Sequence, residues 1–256
     1  MTTTDDRPKV SVVVPCRDAA PYVSELLDSL HRQSLPPAEV IVIDDGSRDR
    51  SADVVEAWAD AHRHFPVRLI RQPARGVAAA LHYGWSISHG ELLARADADD
   101  VVQPTWLADL VEALVTNPGA AYAYPVMRMF GDVEGRYPAA REFSAPVLVW
   151  QGNFVSSGSV MRRSDYRDTN GIKELPAWED WDLWLSFLEL GKVGVLVDEE
   201  LYLWRRHGAT RNRMRWGQRR MLRLRIWAKH PRLLIRYAPA APRLLANRMR
   251  RPIRAQ

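Results

Sequence analysis

The sequence has little cysteine and no long apolar run, and both absences narrow its class. A single cysteine, Cys16, among 256 residues excludes an internal disulfide and favours a reducing compartment. No run of about eighteen apolar residues occurs, so no membrane-spanning helix is predicted. The polar start lacks the apolar core of a signal peptide, and we therefore expect a cytoplasmic protein.

Two familiar phosphate-binding motifs are also missing. No Gly-x-Gly-x-x-Gly follows the first predicted strand, which disfavours a dinucleotide fold, and no Gly-Lys-Ser or Gly-Lys-Thr occurs. A bound phosphate would therefore need a metal or separate basic side chains. Arg17, Arg71 and Arg75 are the nearest candidates in sequence, and the alternative is that they are solvated surface arginines.

Acidic residues stop at Glu200, so the net charge of +5 hides an asymmetry. From Arg205 onward lie 17 of the 36 Lys and Arg residues, which leaves 19 against 31 acidic residues before that point. The chain is an acidic body followed by a strongly basic tail. Such a tail predicts attraction to a polyanion, either nucleic acid or an anionic bilayer.

Short buried strands alternate with helical patterns through the first half. Apolar runs predict strands at residues 9–15, 39–45, 67–71, 92–94 and 120–126. Strands and helices that alternate in this way predict an α/β fold, with a mostly parallel central sheet and helices on both faces. Ligands of such sheets bind outside the C-terminal ends of the strands.

Aspartates cluster at those predicted strand ends. Asp44 and Asp45 close the second strand, and Asp97, Asp99 and Asp100 follow the fourth. In an extended chain Asp97 and Asp99 point the same way, and adjacent carboxylates repel unless a positive charge offsets them. A divalent cation that also holds phosphate oxygens suits the arrangement, so we predict a nucleotide and metal site. The alternative is a solvated acidic turn.

A second acidic pair, Glu179 and Asp180, begins a predicted helix between Trp178 and Trp181. A helix dipole favours negative charge at this end, so an acidic helix start with packed tryptophans is one interpretation. The other is a general base that removes the proton of an attacking hydroxyl.

Glycines and prolines make residues 127–150 a predicted loop region. After it, residues 214–229 predict a basic amphipathic helix of the interfacial kind. An anionic membrane surface is the partner we expect for this tail. A packed helix pair with solvated arginines is the alternative, and nucleic acid is not expected because the body is acidic.

Several short motifs occur in order along the first half of the chain. They are Val10-Ser-Val-Val-Val-Pro15-Cys-Arg-Asp, Gln33-Ser, Val42-Ile-Asp44-Asp45-Gly46-Ser47, Gly76-Val-Ala-Ala-Ala, Gly90-Glu91 and Ala96-Asp97-Ala-Asp99-Asp100. The set resembles the family 2 glycosyltransferases, which have the nucleotide-sugar-binding fold called GT-A, over about residues 8 to 210. One departure is that Ala80, Leu81 and His82 stand where the family has Ala-Arg-Asn, so a donor arginine is absent.

The resemblance implies roles for particular residues. Asp45 matches the carboxylate that reads the uracil edge, and Asp97 and Asp99 match the D-x-D motif that holds Mn²⁺ or Mg²⁺ against the donor diphosphate. Asp180 matches the catalytic base, with Glu179 as second choice. The expected donor contacts are Pro15, Arg17, Asp44, Asp45, Arg75, Gly76, Asp97, Ala98 and Arg205; the metal ligands are Asp99, Asp97 and His207; the acceptor contacts are Trp178, Trp181 and Asn153.

We therefore predict an inverting glycosyltransferase that moves a sugar from a UDP-linked donor to a hydroxyl of a glycan or lipid-linked acceptor. It would sit peripherally on the inner face of the membrane, and both a monomer and a homodimer stay open. The alternatives are a nucleotidyltransferase and a non-catalytic membrane-associated module of the same fold. The predicted parts are an N-terminus at 1–8, a nucleotide-sugar-binding half at 9–126, an acceptor-binding half at 127–210 and a basic helical tail at 211–256.

Overall fold

The structure is a computed structural model that describes residues 7–139, 141–169, 171–208 and 214–250. The strands are β1 (Val10–Cys16), β2 (Glu39–Asp45), β3 (Val67–Gln72), β4 (Leu92–Arg95), β5 (Val101–Val102), β6 (Ala120–Gly131), β7 (Gly135–Arg136), β8 (Val160–Arg162) and β9 (Val193–Arg206). The helices are α1 (Val23–His31), α2 (Ser51–Ala61), α3 (Val77–Ile87), α4 (Trp106–Thr116), α5 (Ala145–Trp150), α6 (Arg163–Asp168), α7 (Glu179–Glu189), α8 (Trp216–Lys229), α9 (Pro231–Arg236) and α10 (Ala241–Arg250).

One curled sheet runs through the molecule in the order β3-β2-β1-β4-β8-β6-β9-β5, with β7 beside β6. Its long ladders are parallel: β1 pairs with β2 and β4, β2 with β3, and β6 with β9. The short strands β5, β7 and β8 pair antiparallel, and β8 joins the two parallel halves. The mostly parallel sheet predicted from the sequence is confirmed, with antiparallel strands that the sequence analysis did not predict.

Helices cover both faces of this sheet, as predicted. The apolar stripes of α1, α2 and α4 fill the core on one face. The core of the other face is built from α3, α5, α7 and the tail helices α8 and α9. The strands between them are apolar on both sides, as buried parallel strands are.

Residues 127–150 differ from the predicted loops. Strand β6 continues to Gly131 because it pairs along its length with the 14-residue strand β9. Gly131 and Gly135 have positive φ angles of 93° and 124°, which an L side chain rarely adopts, and they reverse the chain into β7. Pro146 opens α5 at a position where no backbone N–H is needed.

The inner face of the tail packs on the body. Leu222 and Ile226 of α8 are buried in the core, and the Trp227 Nε1 donates to the Val149 carbonyl oxygen at 2.8 Å. Lys229 and His230 both contact the buried Asp182 of α7. Residues Trp216–Lys229 thus form a basic helix, of which Leu222 and Ile226 face the protein. Within the described residues, no helix combines the length and apolarity that a membrane crossing requires.

Gly158, which precedes β8, packs closely against Tyr202 of β9, and its substitution should destabilise the protein. A Cβ at this position would lie 2.0 Å from the ring of the fully buried Tyr202. We expect Gly158→Ala to lower the free energy of unfolding by about 1–3 kcal/mol, because a buried aromatic ring has to move. Urea unfolding would measure the loss. Gly119→Ala is the control, since a Cβ there meets nothing within 4 Å; equal losses in both variants would contradict the prediction.

Candidate active site

A cavity of about 720 Å³ opens where β1, β2 and β4 end and α7 begins. This is the expected place for a ligand in a parallel sheet, and the volume suits a small-molecule site. The structure brings most of the predicted site residues to its wall. They are Pro15, Arg17, Asp45, Gly76, Asp97, Ala98, Asp99, Asn153, Trp178, Glu179, Asp180, Trp181, Arg205 and His207.

Asp44 and Arg75 are the two predicted donor contacts that the structure does not place in this wall. Successive side chains of a strand face opposite ways, so the end of β2 can turn only one of its two aspartates to the cavity. Asp44 is buried and accepts the Ser47 N–H at 3.2 Å. Arg75 is exposed, and it is the backbone N–H of this residue that donates to Asp45. Neither side chain lines the cavity, and both donor contacts stay predictions.

Asp45 is the aspartate of β2 that faces the cavity. Its carboxylate is buried and accepts hydrogen bonds from the Gln72 side chain and from the backbone N–H groups of Arg75 and Gly76, at 2.7, 2.7 and 2.8 Å. Arg17 lies 3.9 Å from the same carboxylate. These contacts hold the chain before α3 against the end of β2. Asp45 and Arg17 are thus placed together at one end of the cavity.

Asp97 is paired with Arg95 rather than with a second carboxylate. Arg95 Nε and Nη2 donate to the two oxygens of Asp97 at 2.7 and 3.1 Å, and Nη1 lies 3.4 Å from Glu179 Oε1. Burial alone would lower the pKa of Arg95, but Asp97 and Glu179 outweigh it and raise that pKa. The guanidinium is therefore a fixed positive charge that joins the end of β4 to the start of α7.

Asp99 faces His207, and the two form the pair best suited to a cation. His207 Nε2 lies 2.9 Å from Asp99 Oδ2, and the side chains are 25% and 38% exposed. A carboxylate oxygen and an imidazole nitrogen that share one hydrogen bond offer two ligands of the kinds that Mn²⁺ accepts. No cluster of three or more potential ligand residues occurs among the described residues. The donor set fits a divalent cation that takes its remaining ligands from phosphate and water.

Asp100 and Arg205 hold this segment in place. The fully buried Asp100 accepts the Arg205 N–H at 2.8 Å, and burial, then Asp99 and Asp97, raises the pKa of Asp100 well above its usual range. The Arg205 guanidinium donates to the Asp99 carbonyl oxygen and lies over the rings of Tyr22 and Phe130. Arg205 was predicted as a donor contact. The structure shows it bracing the backbone of the aspartate segment while still lining the cavity.

Asp180 lies on the other side of Arg95, at the first turn of α7. Burial and then the Glu179 carboxylate raise the pKa of Asp180 to about 6, and Arg95 opposes the shift. Asn153 Nδ2 donates to Asp180 Oδ2 at 2.8 Å, while Asn153 Oδ1 accepts the Val155 N–H at 3.0 Å. The second bond fixes which side of the Asn153 amide faces Asp180. Asn153, predicted as an acceptor contact, thus orients the candidate base.

Trp178, immediately before α7, has a left-handed backbone with φ 62° and ψ 28°. This conformation is uncommon for a bulky residue and often marks a functional site. It places the Trp178 side chain in the cavity wall. Trp181 also reaches the wall, but it is 1% exposed and its Nε1 donates to the Leu148 carbonyl oxygen at 2.8 Å. The ring of Trp181 is therefore part of the core as much as of the site.

The cysteine in the cavity wall is not a nucleophile. Burial raises the pKa of Cys16 to about 12, with Asp44 adding to the effect, so the thiol is neutral near pH 7. Cysteine attacks as the thiolate, and this environment disfavours that form. The chemistry of the cavity therefore rests on its carboxylates, imidazole and guanidinium groups.

Several wall residues escaped the sequence analysis. Arg95 could have been found, because alternation puts it on the same face as Asp97 two residues later. Tyr137 and Trp204 come together only through the pairing of β6 with β7 and β9, and their rings lie 5.8 Å apart. Arg219 and Arg223 of α8 also line the cavity. No local pattern distinguished those two arginines from the other basic residues of the tail.

Comparison with known proteins agrees with this geometry. The profile of the glycosyl transferase family 2 matches residues 11–171. The putative glycosyltransferase EpsE of Bacillus subtilis is 30% identical over 204 residues, which are 76% of this chain and 72% of EpsE. An uncharacterized glycosyltransferase of Haemophilus influenzae is 27% identical over 218 residues, 78% of this chain and 66% of the relative.

Two solved structures share the fold. The mannosyltransferase PcManGT from Pyrobaculum calidifontis, in complex with GDP-Man and Mn²⁺, gives a TM-score of 0.68 at 21% identity, over 96% of this chain and 76% of that one. S. aureus TarS in complex with UDP-GlcNAc gives a TM-score of 0.67 at 21% identity, over 81% of this chain and 61% of that one. At this level of identity the likeness establishes the fold.

The fold is therefore the GT-A fold of nucleotide-sugar-dependent glycosyltransferases, as predicted. The chain belongs to glycosyl transferase family 2. Its alignment spans 66% of the Haemophilus influenzae relative and 31% of the Bacillus subtilis EpsJ protein.

Proposed function

We propose that this protein is an inverting glycosyltransferase that uses a nucleotide-diphosphate sugar, with a UDP-sugar as the first candidate donor. The observation that carries the proposal is a single cavity with two different ends. One end holds Asp45, Arg17 and the Asp99–His207 pair, and the other holds Asp180 with its raised pKa. Family membership and the nucleotide-sugar complexes of the two neighbours support the same assignment.

The donor end suits a nucleoside diphosphate. Arg17 and Asp45 lie beside Pro15 at the end of β1, where the base would be received. Asp99 and His207 would hold a divalent cation, whose positive charge would stabilise the leaving diphosphate. The bound Mn²⁺ of PcManGT supports this use of the cation. Arg95 keeps Asp97 paired and so limits the negative charge that the diphosphate meets.

The acceptor end suits attack by a hydroxyl. Asp180 would accept the hydroxyl proton as the oxygen attacks the anomeric carbon from the side opposite the diphosphate. A single displacement without a covalent intermediate inverts the configuration at that carbon. Asn153 holds the carboxylate in position, and Trp178 offers an aromatic face on which an acceptor sugar ring could stack.

Nucleotide-sugar turnover tests the donor half of the proposal. The purified protein would be incubated with a panel of UDP-, GDP- and dTDP-sugars, with Mn²⁺, with Mg²⁺ and with EDTA. Metal-dependent release of one nucleoside diphosphate is expected. Formation of pyrophosphate from an NTP and a sugar 1-phosphate would instead identify a nucleotidyltransferase. Absence of both turnover and calorimetric binding of any nucleoside diphosphate would reject the donor site.

Turnover should depend on the protonation state of Asp180. The carboxylate is the active form and its pKa is raised to about 6, so activity should fall as the pH drops through about 6. Asn153→Ala removes a hydrogen bond that favours the charged form and should move this acid limb upward by about one pH unit. The pH profile of kcat/KM measures the shift. Asn117→Ala, an exposed site after α4, is the control, and an unchanged limb in Asn153→Ala would contradict the prediction.

The outer face of the tail supports attachment to an anionic membrane. Trp216, Met221, Leu224 and Ile235 are 75%, 66%, 46% and 77% exposed. They lie among arginines in a segment without acidic residues. Exposed apolar residues among basic ones are typical of interfacial segments, and each basic residue near an anionic surface adds about 1 kcal/mol. The acceptor would then be borne by a membrane, on the side where the protein binds.

Vesicle binding tests this attachment. The protein should sediment with vesicles that contain phosphatidylglycerol and not with pure phosphatidylcholine vesicles. The double change Trp216→Ser and Leu224→Ser should weaken binding about tenfold or more, because it removes the exposed apolar contacts. Val115→Ser is the control, since Val115 is 56% exposed on α4, which packs on the opposite face of the sheet. Equal binding to both vesicle types would contradict the prediction.

A further inference from the structure

Two arginines of the tail reach the acceptor end of the cavity. Arg219 and Arg223 lie one turn apart on α8, and both are half-buried and line the cavity. Residues four apart share a helix face, so the two guanidinium groups form one cationic wall. The neighbouring wall on this side includes Gln151, Gly152 and Trp178.

The Arg223 side chain is held in position by aromatic rings and by carbonyl groups. Its guanidinium carbon lies 5.0 Å from the ring centroid of Trp181 and 5.8 Å from that of Trp178. Its Nη1 lies 3.3 Å from the carbonyl oxygens of both Trp150 and Gln151, at the end of α5. These contacts fix the plane of the group, and a fixed guanidinium is well suited to planar recognition of an anion.

The wall also lies close to the candidate base. A Cβ built on Gly152 would be 3.2 Å from Arg223 Nη2, and the next residue, Asn153, donates to Asp180. A group held by Arg223 would therefore belong to the acceptor rather than to the nucleotide, whose predicted contacts lie at the ends of β1 and β2. The tail helices α8 to α10 carry no acidic side chain, and the carboxylates that line the same cavity, Glu174, Glu179 and Asp180, all come from the body.

We propose that Arg219 and Arg223 bind an anionic group, a phosphate or a carboxylate, on the acceptor, close to the hydroxyl that Asp180 deprotonates. Guanidinium groups bind both anions through paired, charge-assisted hydrogen bonds. The inference rests on the proposed transferase function and adds to it the chemical class of the acceptor. It also gives the C-terminal tail a part in substrate selection beside its part in membrane attachment.

Matched saccharides test the proposal. Binding of neutral methyl glycosides would be compared by ligand-observed NMR with binding of the corresponding 1-phosphates, 6-phosphates and uronic acids, in the presence of UDP and Mn²⁺. The 1-phosphates represent a lipid-phosphate linkage, and the other two represent substituents within a glycan. At least one anionic series should bind about tenfold or more tightly than its neutral partners, with a preference that weakens as salt rises. Equal binding of neutral and anionic sugars would overturn the proposal.

Variants separate recognition from a structural role. Arg219→Gln and Arg223→Gln should each remove most of the preference for anionic sugars, while leaving the affinity for neutral sugars and for UDP unchanged. Arg220→Gln is the matched control on the same helix, because Arg220 is exposed and lies over Trp216 instead of the cavity. Loss of neutral and anionic binding in equal proportion, or retention of the preference in both variants, would show that these arginines only hold α8 in place.

Failure of the transferase proposal would look different. If no nucleoside diphosphate binds the wild-type protein, the donor site is wrong, whatever the saccharide data show. If UDP binds and the anionic preference is absent, the donor site stands and the acceptor inference is wrong.

Discussion

Asp180→Asn is expected to reduce sugar transfer about 10³-fold, within the range that a general base contributes. The substitution keeps the size of the side chain, and its amide oxygen can still accept from Asn153. What it removes is the ability to take a proton from the acceptor. Arg95 keeps its contacts with Asp97 and Glu179, so the charge balance around the donor end is largely preserved.

The measurement should separate catalysis from binding. The affinity for the nucleoside diphosphate, by calorimetry, should stay within about twofold of the wild-type value, while kcat with donor and acceptor is lost. Asp60→Asn is the control. This aspartate of α2 is 80% exposed, and its ion pair with Arg63 is long, at 3.9 Å. Retention of more than a tenth of the activity by Asp180→Asn would reject this residue as the base.

The sequence could predict the fold because the information is local. Runs of β-branched residues closed by Pro15 or by Asp44 and Asp45 mark buried strands, and the alternation with helices then restricts the topology to a mostly parallel sheet. The short strands β5 and β8 were missed for the same reason. Each has only two or three residues, and it exists because β9 or β4 and β6 lie beside it.

The sequence predicted which residues form the site better than it predicted which side chains pair with each other. Alternation placed Asp97 and Asp99 on one face, which suggested that a cation offsets both charges. In the structure Arg95 pairs with Asp97, which alternation could have indicated, but Arg95 also lies 3.4 Å from Glu179, 84 residues further along the chain. Asp180 likewise meets Asn153 from 27 residues away. Such pairings depend on how β4, α5 and α7 pack, which no local pattern contains.

The tail is a second case in which the sequence showed a pattern but not the contacts that the pattern makes. Its charge and amphipathic pattern were plain in the sequence, and they predicted a helix with an affinity for anions. The sequence did not show that one face of the helix is buried against the body while another stays exposed. Leu222 and Ile226 bury one face in the body, and Trp216 and Leu224 stay exposed on another. The arginines between these faces are the ones that reach the cavity.

Asp99→Ala is expected to weaken Mn²⁺ binding at least about 100-fold and to remove metal-dependent turnover. Changes in residues that only orient a metal ligand already cost 10–100-fold in affinity, so the loss of a direct ligand should cost more. Asp99 and His207 form the oxygen and nitrogen pair that suits the cation, whereas Asp97 is held by Arg95. His207→Ala should therefore weaken Mn²⁺ binding as well.

Mn²⁺ titration in the presence of UDP, followed by electron paramagnetic resonance, would measure the affinity without reference to activity. His89→Ala is the matched control, because this histidine is 84% exposed and contacts only Glu39 among the described ion pairs. If Asp99→Ala and His207→Ala bind Mn²⁺ as tightly as the wild-type protein, the cation site assigned to this pair is wrong. If Asp97→Asn alone abolished binding, the metal would instead be held by the carboxylate that Arg95 now pairs with, and Arg95 would have to turn away when the donor binds.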